Sequence, residues 1–257
     1  MHYISLASSS KGNAAYLATA AGAWLIDCGI SMRRIGQLLA GQGQSLDRVR
    51  GIFLSHEHRD HIAGLGPLLR RHPVPCYATE GTWAALLAGQ GLGTFDRGLV
   101  HILPEGAQTI EDLSVSLLGL SHDAAQPIGF SFAAEGVRLT QVTDTGQASP
   151  AIGQALAASD MVVLEANHDV DLVKTGPYPF YLKERILSPY GHLSNATAAR
   201  LLAGHLGDRT RLVVLAHLSE KNNRPELARK TLVDALPDHA DRLPILLAGH
   251  DPVDVHI

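Results

Sequence analysis

Directly after the apolar run GIFL, the segment Ser55–His61 reads SHEHRDH and packs His56, Glu57, His58, Asp60 and His61 into six positions. His56 and His58 lie two apart, and in an extended segment alternate side chains share one face. Asp60 and His61 follow in the next turn, where they can point towards a neighbouring position. One short loop can therefore offer two imidazoles to one cation and a carboxylate plus an imidazole to a second. Such donors suit Zn, Mn, Fe or Co. A solvated loop that merely happens to be rich in histidine would not need so many donors against a buried strand.

Other residues of the right chemistry recur at comparable places. Asp27 follows WLI, His122 stands in GLSHDA, Asp144 in VTDTG and His217 in VVLAHLS. Each comes at the end of an apolar run, so each can sit at a strand end on one rim of a sheet. Taken singly, a strand-end Asp caps a turn and a strand-end His is a hydrogen-bonded structural residue. Their joint order carries the reading. Glu165 in LEANHD ends another apolar run, and His192 in GHLSN opens a helix-starting motif.

The elements that must position these side chains are short strands and amphipathic helices. YISLAS, AYLATA, AWLIDCG, GIFLSH, VPCYAT, VHILP, SVSLLGLSH, GFSFAAEG, VRLTQVTD, DMVVLEAN, RLVVLAHLS and LPILLAG read as strands. Residues 35–41, 62–72, 81–89, 150–158, 195–206 and 225–236 have helical spacing. Strands dominate both halves, with helices between them. The expected fold class is α/β (α+β), an αββα sandwich of two mixed sheets face to face with helices outside. No linker or low-complexity stretch interrupts the chain, so residues 1–257 are expected to form a single domain. The tail containing GHDPVD carries no readable motif.

Composition bounds the rest. With 46% hydrophobic and 18% charged residues the chain can bury a core, and at 5% aromatics that core is built from Leu, Ala, Val and Ile. The N-terminal MHYISLASSSKGN lacks the basic leader and apolar run of a secretory signal, and no stretch reaches the ~18 apolar residues of a membrane helix. The two cysteines, Cys28 and Cys76, are far apart and expected to be reduced and buried. The expected compartment is the cytoplasm, with no membrane association. A net charge of −4 argues against indiscriminate nucleic-acid binding through a basic surface, though not against an anionic substrate. Fourteen histidines in 257 residues are an excess that a metal site would explain. His2, His72, His101, His205, His239, His250 and His256 carry no motif and are assigned to the surface.

The run His-x-His-x-Asp-His resembles the signature of the metallo-β-lactamase superfamily. SSSKGN at 8–13, SHDAAQPIGF at 121–130, LEANHD at 164–169, GPYPFYLKERI at 176–186, GHLSN at 191–195 and AHLSEKNN at 216–223 narrow the resemblance. Together they are similar to YycJ/WalJ-type metallohydrolases, relatives of ribonuclease Z regarded as 5′-to-3′ DNA exonucleases. The chain has no room between Asp144 and His217 for the inserted domain of the ribonuclease J branch, and no Gly/Pro-rich arm such as ribonuclease Z uses to grip tRNA. The resemblance implies two divalent metal ions (Zn, Mn or Fe) held by His56, His58, Asp60, His61, His122, Asp144 and His217. In it Asp144 bridges both ions and Asp27 braces the metal loop.

Two ions roughly 3.5–4 Å apart can lower the pKa of water to about 7 and clamp the attacking and leaving oxygens of an in-line displacement. Attack of a metal-bound hydroxide on phosphorus is the expected reaction, with nucleic acid, DNA above all, as substrate. Asp60, Glu165 and His192 are the candidate catalytic residues: His192 would protonate the leaving oxygen and Glu165 would orient it. Ser194, Asn195, Asn222, Asn223 and Asn167, with His168, are candidate substrate contacts, although Ser194 and Asn195 can equally cap a helix. Arg33, Arg34, Lys183 and Arg185 are candidate phosphate contacts. A metallohydrolase of a small ester, thioester or cyclic phosphodiester shares the first motif, and a non-enzymatic metal-binding scaffold is the reading from another class. The sequence sets no oligomeric state and is compatible with a homodimer.

Overall fold

A computed structural model describes residues 1–89, 91–236 and 242–257; His239 lies outside the described residues. The first half runs β1 (His2–Ala7), β2 (Ala14–Ala18), β3 (Ala23–Ile26), α1 (Met32–Gly41), β4 (Val49–Phe53), α2 (Arg59–Ile62), α3 (Leu65–Arg71), β5 (Cys76–Ala78), α4 (Glu80–Ala88) and β6 (Val100–Ile102). The second runs β7 (Ala107–Ile110), β8 (Leu113–Gly119), β9 (Ile128–Ala134), β10 (Val137–Val142), α5 (Pro150–Ala157), β11 (Met161–Glu165), α6 (Val170–Thr175), α7 (Phe180–Leu187), α8 (Asn195–His205), β12 (Leu212–Ala216), α9 (Pro225–Ala235) and β13 (Ile245–Leu247). The last strand, β14 (Val253–His256), returns to pair with β1.

Two seven-stranded sheets result, in the orders β14-β1-β2-β3-β4-β5-β6 and β13-β12-β11-β10-β9-β8-β7. Both follow the same plan. Antiparallel pairs lead to β3 in one sheet and β10 in the other, and from there the pairing is parallel. Parallel pairing demands crossovers, and helices supply them on the outer faces.

The sequence pattern explains the layering. Successive strand residues face opposite ways, so Trp24 and Ile26 turn inward while Leu25 turns to the helices. Between the sheets lie Tyr3, Leu17, Trp24, Phe53, Phe130, Phe132, Val163 and Val214. Ile35, Leu39, Leu68 and Trp83 bring α1, α3 and α4 onto the first sheet. Ile152, Leu156, Leu202 and Leu232 bring α5, α8 and α9 onto the second. Strands apolar on both faces are what such a four-layer stack requires, and the expected αββα sandwich is the fold observed.

Local boundaries differ from the sequence reading. The strand expected to run through His56 ends at Phe53, which frees Leu54–His58 as a loop. The single helix expected over 62–72 is two, broken near Gly64, where a Cβ would lie 2.0 Å from the Ile30 carbonyl oxygen. Strands β7 and β14 and helices α6 and α7 have no clear periodic signal, being short and largely exposed on one side. Of the histidines assigned to the surface, His101, His205, His250 and His256 are exposed, and His2 and His72 are half-buried. Cys28 and Cys76 are free and buried. No helix among the described residues is long and apolar enough to cross a membrane.

Candidate active site

All the strand-end donors gather on one rim, where the two sheets meet. Asp27 closes β3 with φ 59°, Asp144 follows β10 with φ 62°, and His217 follows β12 with φ 54°. These are left-handed conformations, uncommon outside glycine and best tolerated by Asp, Asn and His. They turn the chain sharply at the strand end and lift the side chain over the rim. The close fold of the metal loop depends on Gly29, where a Cβ would fall 1.6 Å from the Asp60 carbonyl oxygen.

The loop donors are held from behind. Asp27 Oδ1 accepts from the Ser55 backbone N–H at 2.8 Å, and its Oδ2 accepts from Ser55 Oγ at 2.9 Å. Its Oδ2 also lies 2.7 Å from His61 Nδ1. Ser55 Oγ is 3.0 Å from His56 Nδ1. With their Nδ1 atoms engaged, His56 and His61 are left to present Nε2. His122 is fixed in the same manner, its Nδ1 lying 3.2 Å from the carbonyl oxygens of both Tyr190 and Gly191. Asn13 Nδ2 approaches His61 Nε2 at 3.0 Å.

The outward-facing atoms form overlapping sets with metal-ligand spacing. His56, His58 and His122 make one, His56, His61 and Asp144 a second, and Asp60, His61 and His217 a third. Asp144, Glu165, His192 and His217 form a fourth. Three atoms in this cluster, His56 Nε2, Asp144 Oδ2 and His217 Nε2, are buried and have no hydrogen-bond partner. An orphaned buried polar atom is costly, and each of the three belongs to one or more of these sets, where a bound cation would satisfy it. His58 Nδ1 and His122 Nε2 stand 3.2 Å apart, two imidazole nitrogens facing each other. The donors therefore fit divalent metal ions.

The electrostatics agree. Burial alone would lower the pKa of His61, but the charges of Asp27 and Asp144 hold it well above the ordinary value. Against the same burial, Asp144, Asp60 and Glu165 carry His217 up to about 10. Burial would raise the Asp144 carboxyl, yet His217 and His61 hold it well below the carboxylate range. The cavity is thus an anionic nest of carboxylates that draws positive charge onto its imidazoles. His56 differs, pushed well down by burial and by neighbouring imidazoles, and remains a neutral donor.

Glu165 joins two histidines. Fully buried at the end of β11, its Oε1 lies 2.7 Å from His192 Nδ1 and 2.9 Å from His217 Nδ1. Its Oε2 accepts from the backbone N–H groups of Thr145 at 3.2 Å and Leu193 at 3.0 Å. These contacts, led by the His192 charge, overcome burial and bring its pKa down to about 2. His192 is raised: burial acts downward, and the Glu165 charge and hydrogen bond outweigh it. Parallel register between β11 and β12 sets Glu165 beside Ala216, one residue before His217.

The candidate substrate contacts lie deeper than the sequence suggested. Ser194 caps α8, its Oγ accepting from Thr197 N. Asn195 and Asn223 exchange amide hydrogen bonds at 2.8 and 2.9 Å, and Asn223 Nδ2 also reaches the Ala166 and Asn167 carbonyls. Asn167 Nδ2 donates to the His217 carbonyl at 2.8 Å. Asn222 is buried with its amide unpartnered, and His168 is buried with its pKa lowered to about 4 by desolvation. Of these, Asn167 holds the turn at His217, and Asn223, paired with Asn195, holds the backbone of Ala166 and Asn167. Arg33 and Arg34 are exposed on α1, Lys183 donates to the Lys174 carbonyl, and Arg185 forks onto Asp123 at 2.6 and 3.0 Å. Ser55, Asn13, Ser8 (which accepts from His217 N at 2.7 Å) and Asp123 escaped the sequence reading. Ser55 and Asp123 do adjoin the histidine motifs, and that adjacency was the available signal.

The four-layer stack with imidazoles and carboxylates on one rim defines the class: a hydrolase of the metallo-β-lactamase fold. The family model described as "Beta-lactamase superfamily domain" matches residues 24–218, and the chain belongs to that superfamily. It is 39% identical over 235 residues to the exodeoxyribonuclease WalJ of Streptococcus pneumoniae, covering 91% of this chain and 87% of that one. To the exodeoxyribonuclease YycJ of Bacillus anthracis it is 37% identical over 238 residues, covering 93% and 90%. Among solved structures, the metallo-β-lactamase fold protein YhfI of Bacillus subtilis superposes with a TM-score of 0.73 at 14% identity, covering 99% of each chain. That last likeness speaks for the fold.

Proposed function

We propose that this protein is a metal-dependent exodeoxyribonuclease acting 5′ to 3′. The observation that carries the substrate class is its similarity, along nine-tenths of its length, to two proteins of that name. The donor geometry supports the chemistry. In this reading His56, His58 and His122 would hold one divalent ion and Asp60, His61 and His217 a second, with Asp144 available to both sets; Zn, Mn and Fe all suit the donors. Bound metal would supply Lewis acidity and a nucleophilic water at neutral pH, suited to phosphodiester hydrolysis.

The chain's own residues divide the remaining work. Glu165, facing His192 Nδ1 at 2.7 Å, favours its protonated form, and in this reading His192 donates a proton to the departing sugar oxygen. Such a general acid contributes about 10²–10⁴ in rate. Glu165 positions His192 and His217 together. Asp60, 26% exposed, stays ionised and can accept a hydrogen bond from a water entering the rim. We further read residues 1–257 as one domain working in the cytoplasm. Donors from both halves and the return of β14 to β1 support the first, and two free, buried cysteines the second.

The test is digestion of end-labelled single-stranded and duplex DNA, matched RNA and an aryl phosphodiester by the metal-loaded protein. Stepwise nucleotide release from DNA ends is the expected result. Turnover of small esters alone, with DNA left intact, would overturn the reading.

A further inference from the structure

Phe180, Tyr181 and Tyr190 are 74%, 73% and 62% exposed, and every other Phe, Tyr and Trp in the chain is buried or half-buried. All three exposed aromatics thus fall within eleven residues, on α7 and the loop that follows it. Exposed rings of this size cost solvation. Lys183 lies on the same helix, and its Nζ donates to the carbonyl of Lys174 on α6 at 2.8 Å.

This segment is fastened to the active site at two points. The carbonyl of Tyr190 lies 3.2 Å from His122 Nδ1. Arg185 forks onto Asp123, the neighbour of His122. Tyr181 precedes Arg185 by four residues, so both lie on one helix face, about 6 Å apart along the axis. That compares with a rise of about 3.4 Å per nucleotide in a stacked strand. Beside the site, Tyr190 walls a pocket of about 250 Å³ with Ser121, His122, Gln147 and Ser149.

We propose that Phe180, Tyr181 and Tyr190 form a stacking platform for unpaired bases of the strand being degraded. The proposal rests on the exodeoxyribonuclease reading and deepens it. An aromatic ring can stack only on a base whose face is free, so the platform selects single strands, overhangs and frayed ends. Recognition by stacking tolerates any sequence, as an exonuclease needs. The anchors at His122 and Asp123, and the pocket that Tyr190 walls beside His122, favour the substrate strand over a second copy of this chain as occupant.

A binding cycle tests this on the metal-loaded full chain. The ligands are a fluorescein-labelled phosphorothioate single strand, which resists cleavage, and the same strand made abasic at its reacting end. The proteins are the wild type, the double variant F180A/Y181A, and Y190A, all changed at exposed positions. Each variant should weaken binding of the base-containing strand by about tenfold and of the abasic strand by less than about twofold. Equal losses on both strands, or no loss on either, would overturn the platform. So would a wild-type dimer that the double variant converts to monomer in size-exclusion chromatography. A wild type that passes this cycle but releases no nucleotides from ordinary DNA would refute the exonuclease reading and leave the platform standing.

Discussion

Asp27 and Asp144 hold the same place in the two halves of the chain. Each follows the strand at which its sheet changes from antiparallel to parallel pairing, each has left-handed backbone, and each stands two residues before a glycine. Their surroundings differ. Asp27 is saturated by Ser55 and His61, whereas Asp144 Oδ2 is buried without a partner. One position braces, and its counterpart is open to a ligand.

Asn replacements separate those roles, because Asn also tolerates positive φ. Asp144→Asn should lose most bound metal. Asp27→Asn should keep its full stoichiometry while metal affinity falls about 10–100-fold, as for other residues that orient ligands. Elemental analysis and competition with a chromogenic chelator distinguish them. Equal metal affinity in wild type and both variants would refute this assignment.

His192→Ala should lower kcat on DNA by about 10²–10⁴ with metal content unchanged. Glu165→Gln should lower kcat as well and also weaken metal binding, since Glu165 faces His217 at 2.9 Å. Steady-state kinetics alongside metal analysis reads both effects. Full DNA hydrolysis by His192→Ala would remove it from the mechanism.

Chelation should destabilise the protein without unfolding its core. Metal at about 100 times its Kd adds about 2.7 kcal/mol, which for a chain of this size is about 5–10 °C in Tm. Differential scanning calorimetry with EDTA, then with restored Zn or Mn, should show that drop and its recovery. An unchanged Tm would mean that the orphaned nitrogens bind no ion.

Away from the site, Asp160 predicts an acid-sensitive contribution to stability. Its carboxylate is buried and accepts from Arg138 N at 2.9 Å and Arg209 at 2.8 Å, with Arg211 at 3.3 Å. Burial acts to raise its pKa, and these partners outweigh it and hold it low. A carboxyl depressed in the folded state stabilises above its unfolded value of about 3.9 and loses that contribution as pH falls through the folded value. Asp160→Asn should therefore cost about 1–3 kcal/mol at neutral pH, and urea midpoints of variant and wild type should converge in acid. A gap that stays constant down to acid pH would rule out the ionic contribution.

The amino-acid sequence alone determined what depends on neighbours in the chain. His56, His58, Asp60 and His61 are adjacent, so their spacing states their geometry. Apolar strands bounded by turns gave the two-sheet architecture, because burial on both faces demands them. Short, half-exposed strands such as β7 and β14 lack that signal. Only the tertiary structure decided relationships set by register across strands. Pairing of β11 with β12 brings Glu165 between His192 and His217, and the turn after β3 puts Asp27 beneath Ser55 and His61. It also decided that Asn195 and Asn223 satisfy each other in the interior, while Phe180, Tyr181 and Tyr190 stay in water beside the site. Residue type says which contacts are open to a side chain; packing of the whole chain says which of them it makes.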